Sequence, residues 1–421
     1  MDTSHVFAAL ATVALCAFAL PPAEAQSNAA VRSVTVPSVD PQAATVLQTG
    51  PRAEAIRANL KRLKLPPGFT IELYAVVPGA HHLAVSPADY GVFVGTRKKN
   101  VWVVTDPEGE AKPDQVRAFA PSLSFRMPSG VCLTADGFLV VVEQNRVRTF
   151  STIELFDGAS KVRVVEVVPE GQLIPAKDES PSGLRACRIG TDKKLYVALG
   201  SQVDKAPRAK LDSYDRHGVG AIVRLDPFLA TGRDVYADGI ANAGGIDFNP
   251  KDNTLWFTDD RTEPVTSDNA EGEINRITQA GQFFGYPWLQ GKKRITKHEL
   301  GGAPTPQNAV DPEVYTEPGA GNLGLTFYTG TRFPQKYRGG LFTVQRGSSN
   351  GDASVDARVL FTSLRPDGHA DKTEVFAEGW LDKKTRRFRG RPVDVAQLFD
   401  GSLIVSDEQA GALYRITYDG P

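Results

Sequence analysis

The chain has 421 residues, enough for one large domain or two ordinary ones, and its 41% apolar content supplies a sizeable core. A net charge of −1 excludes a general binder of the nucleic-acid backbone, which needs a basic surface. Its 39 glycines and 29 prolines are dispersed, which suits many turns and excludes a low-complexity tract.

The first residues read as a cleavable export signal over 1–25. Val6 to Leu20 is apolar, and Ala23-Glu24-Ala25 offers a cut before Gln26. About 15 apolar residues fall short of the roughly 20 that a membrane span needs. The expectation is a periplasmic or secreted protein with no membrane span after cleavage. Cys132 and Cys187 then remain, both in predicted inner strands. A small buried thiol is the default reading for each, and an exported protein also permits a disulfide. No Cys-x-x-Cys-His occurs, so no c-type haem is attached.

Residues 26–50 show little periodicity and read as a disordered linker. Residues 52–64 favour a short basic helix, stopped by Pro66-Pro67. Residues 26–64 thus form a linker and helix, and residues 65–421 a repeated domain. From Phe69 the apolar period changes to that of strands. Six copies follow of one pattern: a loop, a small-residue apolar strand, an Asp/Gly/Asn turn, and a second strand rich in Val, Phe, Tyr or Trp. Leu83, Gly130, Gly183, Gly244, Gly324 and Val393 mark equivalent points, at steps of 47, 53, 61, 80 and 69 residues. One four-stranded blade needs roughly 40 to 50 residues, so the longer steps carry inserted loops. The prediction is an all-β, six-bladed β-propeller, closed by Phe69–Val76 pairing with the C-terminal copy.

In such a ring the starts of the inner strands meet at one mouth of the channel. His81, His82, Arg126, Ser129, Ser182, Arg185, Asn242, Asn322, Arg391 and Asp394 belong to this set. Their chemistry suits a polar, partly anionic ligand. The plainer reading is that each satisfies a loop backbone or a channel water. The loop 259–273 gathers oxygen donors, with Asp260, Asp268 and Glu273 as candidate calcium ligands. A solvated acidic loop is the rival there. Gly347-Ser348-Ser349 lacks a nucleophile elbow, and His81-His82 lacks a third ligand for zinc.

Several stretches carry a family resemblance. They are Leu65-Pro66-Pro67-Gly68-Phe69, Leu255-Trp256-Phe257-Thr258-Asp259-Asp260, Glu273-Ile274-Asn275-Arg276, Gly285-Tyr286-Pro287, and the run from Gly390 to Tyr418. Together they resemble the quinoprotein glucose/sorbosone dehydrogenase family over roughly Leu65 to Tyr418. The resemblance implies a six-bladed propeller that binds pyrroloquinoline quinone (PQQ) and calcium at the channel mouth. It implies oxidation of a sugar hydroxyl or aldehyde, with a histidine as base and an external electron acceptor. Arg391 and Asp394 match the family pattern. The family's catalytic histidine falls on Ser182, its Arg-Asn pair on Ala241-Asn242, and the histidine of its His-Gly-Ser-Trp-Asn stretch on Arg346.

The expected activity is a PQQ- and calcium-dependent oxidoreductase of a sugar or polyol. Asn242, Arg391, Asp394 and Arg185 are the residues expected at the cofactor. His82 is the stand-in base, with His81 and His217 as alternatives, since Ser182 without a partner is a poor proton acceptor. Two other readings stand beside it: a propeller without redox chemistry that binds a carbohydrate or a protein, and a calcium-dependent lactonase.

Overall fold

The computed structural model describes residues 33–40, 45–86, 91–105, 113, 115–152, 160–179, 184–201, 203, 206, 208–229, 231–260, 271–295, 306–348 and 354–420. Six sheets of four or five strands stand around one channel, one for each sequence copy, antiparallel except where Gln282–Phe283 pairs parallel with Asp234–Asp238 at the edge of blade 3. Their innermost strands are Ala80–Val85, Gly130–Leu133, Cys187–Ile189, Ala243–Phe248, Asn322–Phe327 and Pro392–Gln397, in blades 1 to 6. The second strands, such as Leu255–Asp259 and Leu403–Asp407, are buried on both faces, which explains their unbroken apolar runs.

The inner strands are poor in bulk because neighbouring blades nearly touch at the channel. A Cβ built on Gly245 of blade 4 would lie 2.7 Å from the Gly324 Cα of blade 5, closer than real Cβ contacts come. Side chains there would push the ring apart. Bulk is moved outward instead, where Trp256 and Phe257 are fully buried between blades.

The ring closes as expected. Phe69–Val76 pairs antiparallel with Ala412–Tyr418, from Phe69 opposite Tyr418 to Val76 opposite Ala412. Phe69 then sets its ring edge-on against Phe333, Tyr337 and Phe376, with centroids 4.8–5.3 Å apart. The helix Pro51–Leu60 lies over this seam. Pro51 suits its first turn, and Ala53, Ile56 and Leu60, spaced along one face, are buried in the same core.

Two expectations change. The segment 26–50, read as a disordered linker, contributes a strand: Ser33–Pro37 pairs with Lys161–Val168 as a fifth strand of blade 2. Val36 is the anchor, buried in the cluster of Phe93, Phe119 and Phe150. One inward valine on an edge strand leaves too short a pattern to stand out in sequence. The two cysteines, read by default as thiols, form a disulfide between the inner strands of blades 2 and 3, with Cα atoms 6.0 Å apart. The bond closes a 55-residue separation. Chain-entropy reasoning puts the stabilisation at about 4 kcal/mol. We expect Cys132→Ala/Cys187→Ala to lower the thermal midpoint, and reductant to lower it in the wild type but not in the double variant. Equal midpoints for the two proteins would exclude a stabilising bond.

Among the described residues the other helix is Arg208–His217, beside blade 3. No helix there is long and apolar enough to cross a membrane. The signal reading of 1–25 falls outside the described residues. The described chain forms one compact unit from Val31 on.

Candidate functional site

Two adjacent histidines open the inner strand of blade 1, and the strand pairing is interrupted around them between Ala80 and Leu83. His82 is buried and reaches into the channel. Its Nδ1 lies 3.1 Å from Ser129 O of blade 2 and its Nε2 2.8 Å from Gly244 O of blade 4, and whichever nitrogen carries the proton donates to the carbonyl beside it. Carbonyl oxygens only accept. His82, the base expected from sequence, spans the channel with both ring nitrogens facing backbone carbonyls rather than the mouth.

His81 differs. Only 1% exposed, its ring stands edge-on to His82 at 4.6 Å, and its Nδ1 has no hydrogen-bond partner. Burial holds its pKa well below the usual histidine value, and the neighbours His82, Arg97 and Arg346 push it the same way. At neutral pH it is an uncharged imidazole whose Nδ1 is enclosed and without a partner.

Arg97 and Arg346 lie near it and Arg391 is hydrogen-bonded to Arg346, each placed where a strand meets the mouth. Arg97 follows the second strand of blade 1, Arg346 the second strand of blade 5, and Arg391 precedes the inner strand of blade 6. Arg391 Nη1 donates to Arg346 O at 3.2 Å, and its guanidinium stacks on Phe388 at 3.8 Å. Burial, then repulsion from Arg346, pushes its pKa down to about 10. Arg346 is also lowered by burial, and its Nε is buried without a partner. The counter-charges at hand are Glu408, 3.7 Å from Arg97, and the buried Asp407 beside Arg391. Guanidiniums so placed favour an anion, which would restore the charge balance that burial has upset.

The other expected residues are dispersed. Arg185 is fully buried, donating to Gln144 O at 3.1 Å and Leu184 O at 2.6 Å, and so staples blade 3 to blade 2. Asp394 is buried in the channel wall, its carboxylate accepting from Leu83 N at 2.8 Å and Val395 N at 2.9 Å. Asn242 sits at the seam of blades 3 and 4, with its side chain against Gly200. Ser182 lies outside the described residues.

A second cavity beside blade 4, of about 20 Å³, has room for a single water or ion. Asp259, Asp260, Glu271 and Glu273 line it. Asp259 and Glu273 face each other across adjacent strands, like charges opposed. Burial and this repulsion raise Asp259 well above the carboxylate range, and burial raises Glu273 to about 7. Yet among the described residues no three His, Cys, Asp or Glu side chains come close enough together to hold a metal ion. Asp259 spends both oxygens on Ala241 N and Asn242 N, and Asp260 accepts from Asn322 N at 2.6 Å. The donors are of the right type for calcium but are not assembled around one point. Asp268 lies outside the described residues.

The architecture and mouth define a six-bladed β-propeller with a cationic, histidine-bearing channel entrance. Residues 182–415 match the model of the glucose/sorbosone dehydrogenase family, and the chain belongs to that family. An uncharacterised protein of Borreliella burgdorferi is 26% identical over 372 residues, covering 85% of this chain and 91% of its own. The fold is similar to the PQQ domain of a pyranose dehydrogenase from Coprinopsis cinerea, in its holo form (TM-score 0.64, 12% identity, 84% of this chain and 97% of that one). It is also similar to the soluble aldose sugar dehydrogenase of Escherichia coli in its apo form (TM-score 0.55, 19% identity, 83% and 99%).

Proposed function

We propose that this protein is an exported, quinone-dependent oxidoreductase of a sugar or polyol, working at the mouth formed by His81, Arg97, Arg346 and Arg391. The observation that carries this reading is the neutral His81 imidazole, its Nδ1 unpartnered, beside the Arg97 and Arg346 guanidiniums, with Arg391 joined to Arg346. PQQ is planar and bears carboxylates. The buried, unpartnered Arg346 Nε and the depressed Arg391 guanidinium fit such an anion, with Arg391 and Arg346 holding its carboxylates and Arg97 beside them. When bound, PQQ supplies a two-electron acceptor for hydride. His81 Nδ1, neutral and without a partner, is the nitrogen proposed to receive the proton of a sugar hydroxyl. The burial and positive neighbours that keep it neutral are what fit it for that task near pH 7. His82 and Asp394 keep the channel beneath rigid and leave little space for water, since the cavity around them is only about 20 Å³.

Calcium fits the acidic cavity less well, because its carboxylates are committed to backbone N–H groups. The proposal keeps calcium to a structural place near Asp260 and Glu273 and routes no step through it. The lactonase reading needs a metal holding the reacting carbonyl, and the mouth offers guanidiniums instead.

The test is to mix purified protein with PQQ and calcium and follow reduction of an artificial electron acceptor over a panel of aldoses and polyols. Sugar-dependent dye reduction is expected. Tight quinone binding without turnover on any sugar would instead favour a propeller that has lost its redox chemistry.

A further inference from the structure

A separate cavity of about 130 Å³ lies at the edge of blade 3, between the helix Arg208–His217 and the turn after Phe283. Tyr214, Phe283, Tyr286 and Trp288 form aromatic walls, and Asp215 and Asp238 supply two carboxylates. Its size is close to the roughly 150 Å³ that accepts one benzene ring, so it takes a single six-membered ring.

Two buried polar atoms among its lining residues lack partners, and with the two carboxylates they narrow the ligand. No cation stands against either aspartate among the described residues; burial raises both, and Asp215 adds its repulsion to Asp238. Tyr214 is 3% exposed, yet its hydroxyl has no hydrogen-bond partner, and neither has the buried indole N–H of Trp288. Carboxylates only accept, an indole only donates, and a phenol does both. An ammonium ion would serve the aspartates but could accept nothing from Trp288. An anion would be repelled. A polyhydroxylated ring serves all of them, because each hydroxyl both donates and accepts, while its C–H faces lie against the aromatic walls.

We propose that this cavity binds one sugar ring. Tyr286 lines both this cavity and the acidic one. As a subsite it would hold a further ring of an oligosaccharide, a role that rests on the proposed function above; the binding itself does not.

The full-length protein, without quinone, is titrated with methyl glucoside, maltose, cellobiose and tetramethylammonium, by calorimetry and by tryptophan fluorescence. Saturable binding of at least one sugar is expected. Asp215→Asn/Asp238→Asn should weaken it at least ~10-fold, as loss of charge-assisted hydrogen bonds does. Trp288→Phe should abolish the fluorescence change, and Arg391→Ala should leave the affinity unchanged. Thermal midpoints confirm that each variant is folded, and Trp288→Ala, which should also weaken binding, replaces the aspartate pair if that variant is not. No sugar binding, sugar binding lost only in Arg391→Ala, or binding of tetramethylammonium alone would each overturn the proposal. Failure of dye reduction with sugar binding intact would count against the redox reading and leave this one standing.

Discussion

Replacing His81 with leucine is expected to lower sugar-dependent dye reduction by ~10²–10⁴-fold while leaving the protein as stable as before, or more so. The rate loss is that of a removed general base. The stability result follows from burial. His81 places an unpartnered ring nitrogen in a site only 1% exposed, and a leucine there loses no hydrogen bond at Nδ1. A group that weakens the fold and is needed for turnover is the usual sign of a functional residue. Acidity separates the two proteins further. Because the folded-state pKa of His81 is depressed, the unfolded chain takes a proton below about 6.5 that the folded one refuses. The contribution to stability is whole above that pH and is lost as pH falls through it. The leucine variant should lack this part of the acid loss. The rate of the wild type should hold below pH 6.5 and fall only at the lower, depressed value. Thermal midpoints and steady-state rates between pH 4.5 and 8 check both. An unchanged rate would remove His81 from the chemistry.

The second large effect is expected at the seam. Phe69→Ala should cost about 3–5 kcal/mol, the range for truncating a buried phenylalanine. Phe69 is 9% exposed and lies edge-on to three other rings, so the space it leaves is walled by Phe333, Tyr337 and Phe376 and cannot easily collapse. It also begins the strand that joins the chain's two ends into a ring. Denaturant unfolding should show a lower midpoint. A loss below about 1 kcal/mol would mean that closure does not depend on this contact.

How much of this could be read from sequence follows from where each signal is written. The ring was legible because six strand pairs repeat small-residue inner strands and bulky second strands, and packing at the channel demands that pattern. The Ser33–Pro37 strand was not, because a single buried valine leaves no repeat. At the mouth, Arg391 was legible from the strand it precedes. Arg97 was not, because it follows a second strand, and that end returns to the same mouth only once the sheet is formed. The choice between His81 and His82 was hidden too. Adjacent residues point apart, and only the fold reveals that Ser129 O and Gly244 O face both nitrogens of His82. The disulfide needed two inner strands of neighbouring blades to be set side by side.

An anionic quinone seated on the arginine mouth is the central claim. Its most direct test is an equilibrium titration of the protein with PQQ, with Arg391→Ala and Arg346→Ala beside it, at two ionic strengths. Saturable binding is expected that weakens as salt rises and falls at least ~10-fold in each variant. Binding of equal strength in the wild type and both variants, or none in any, would contradict it.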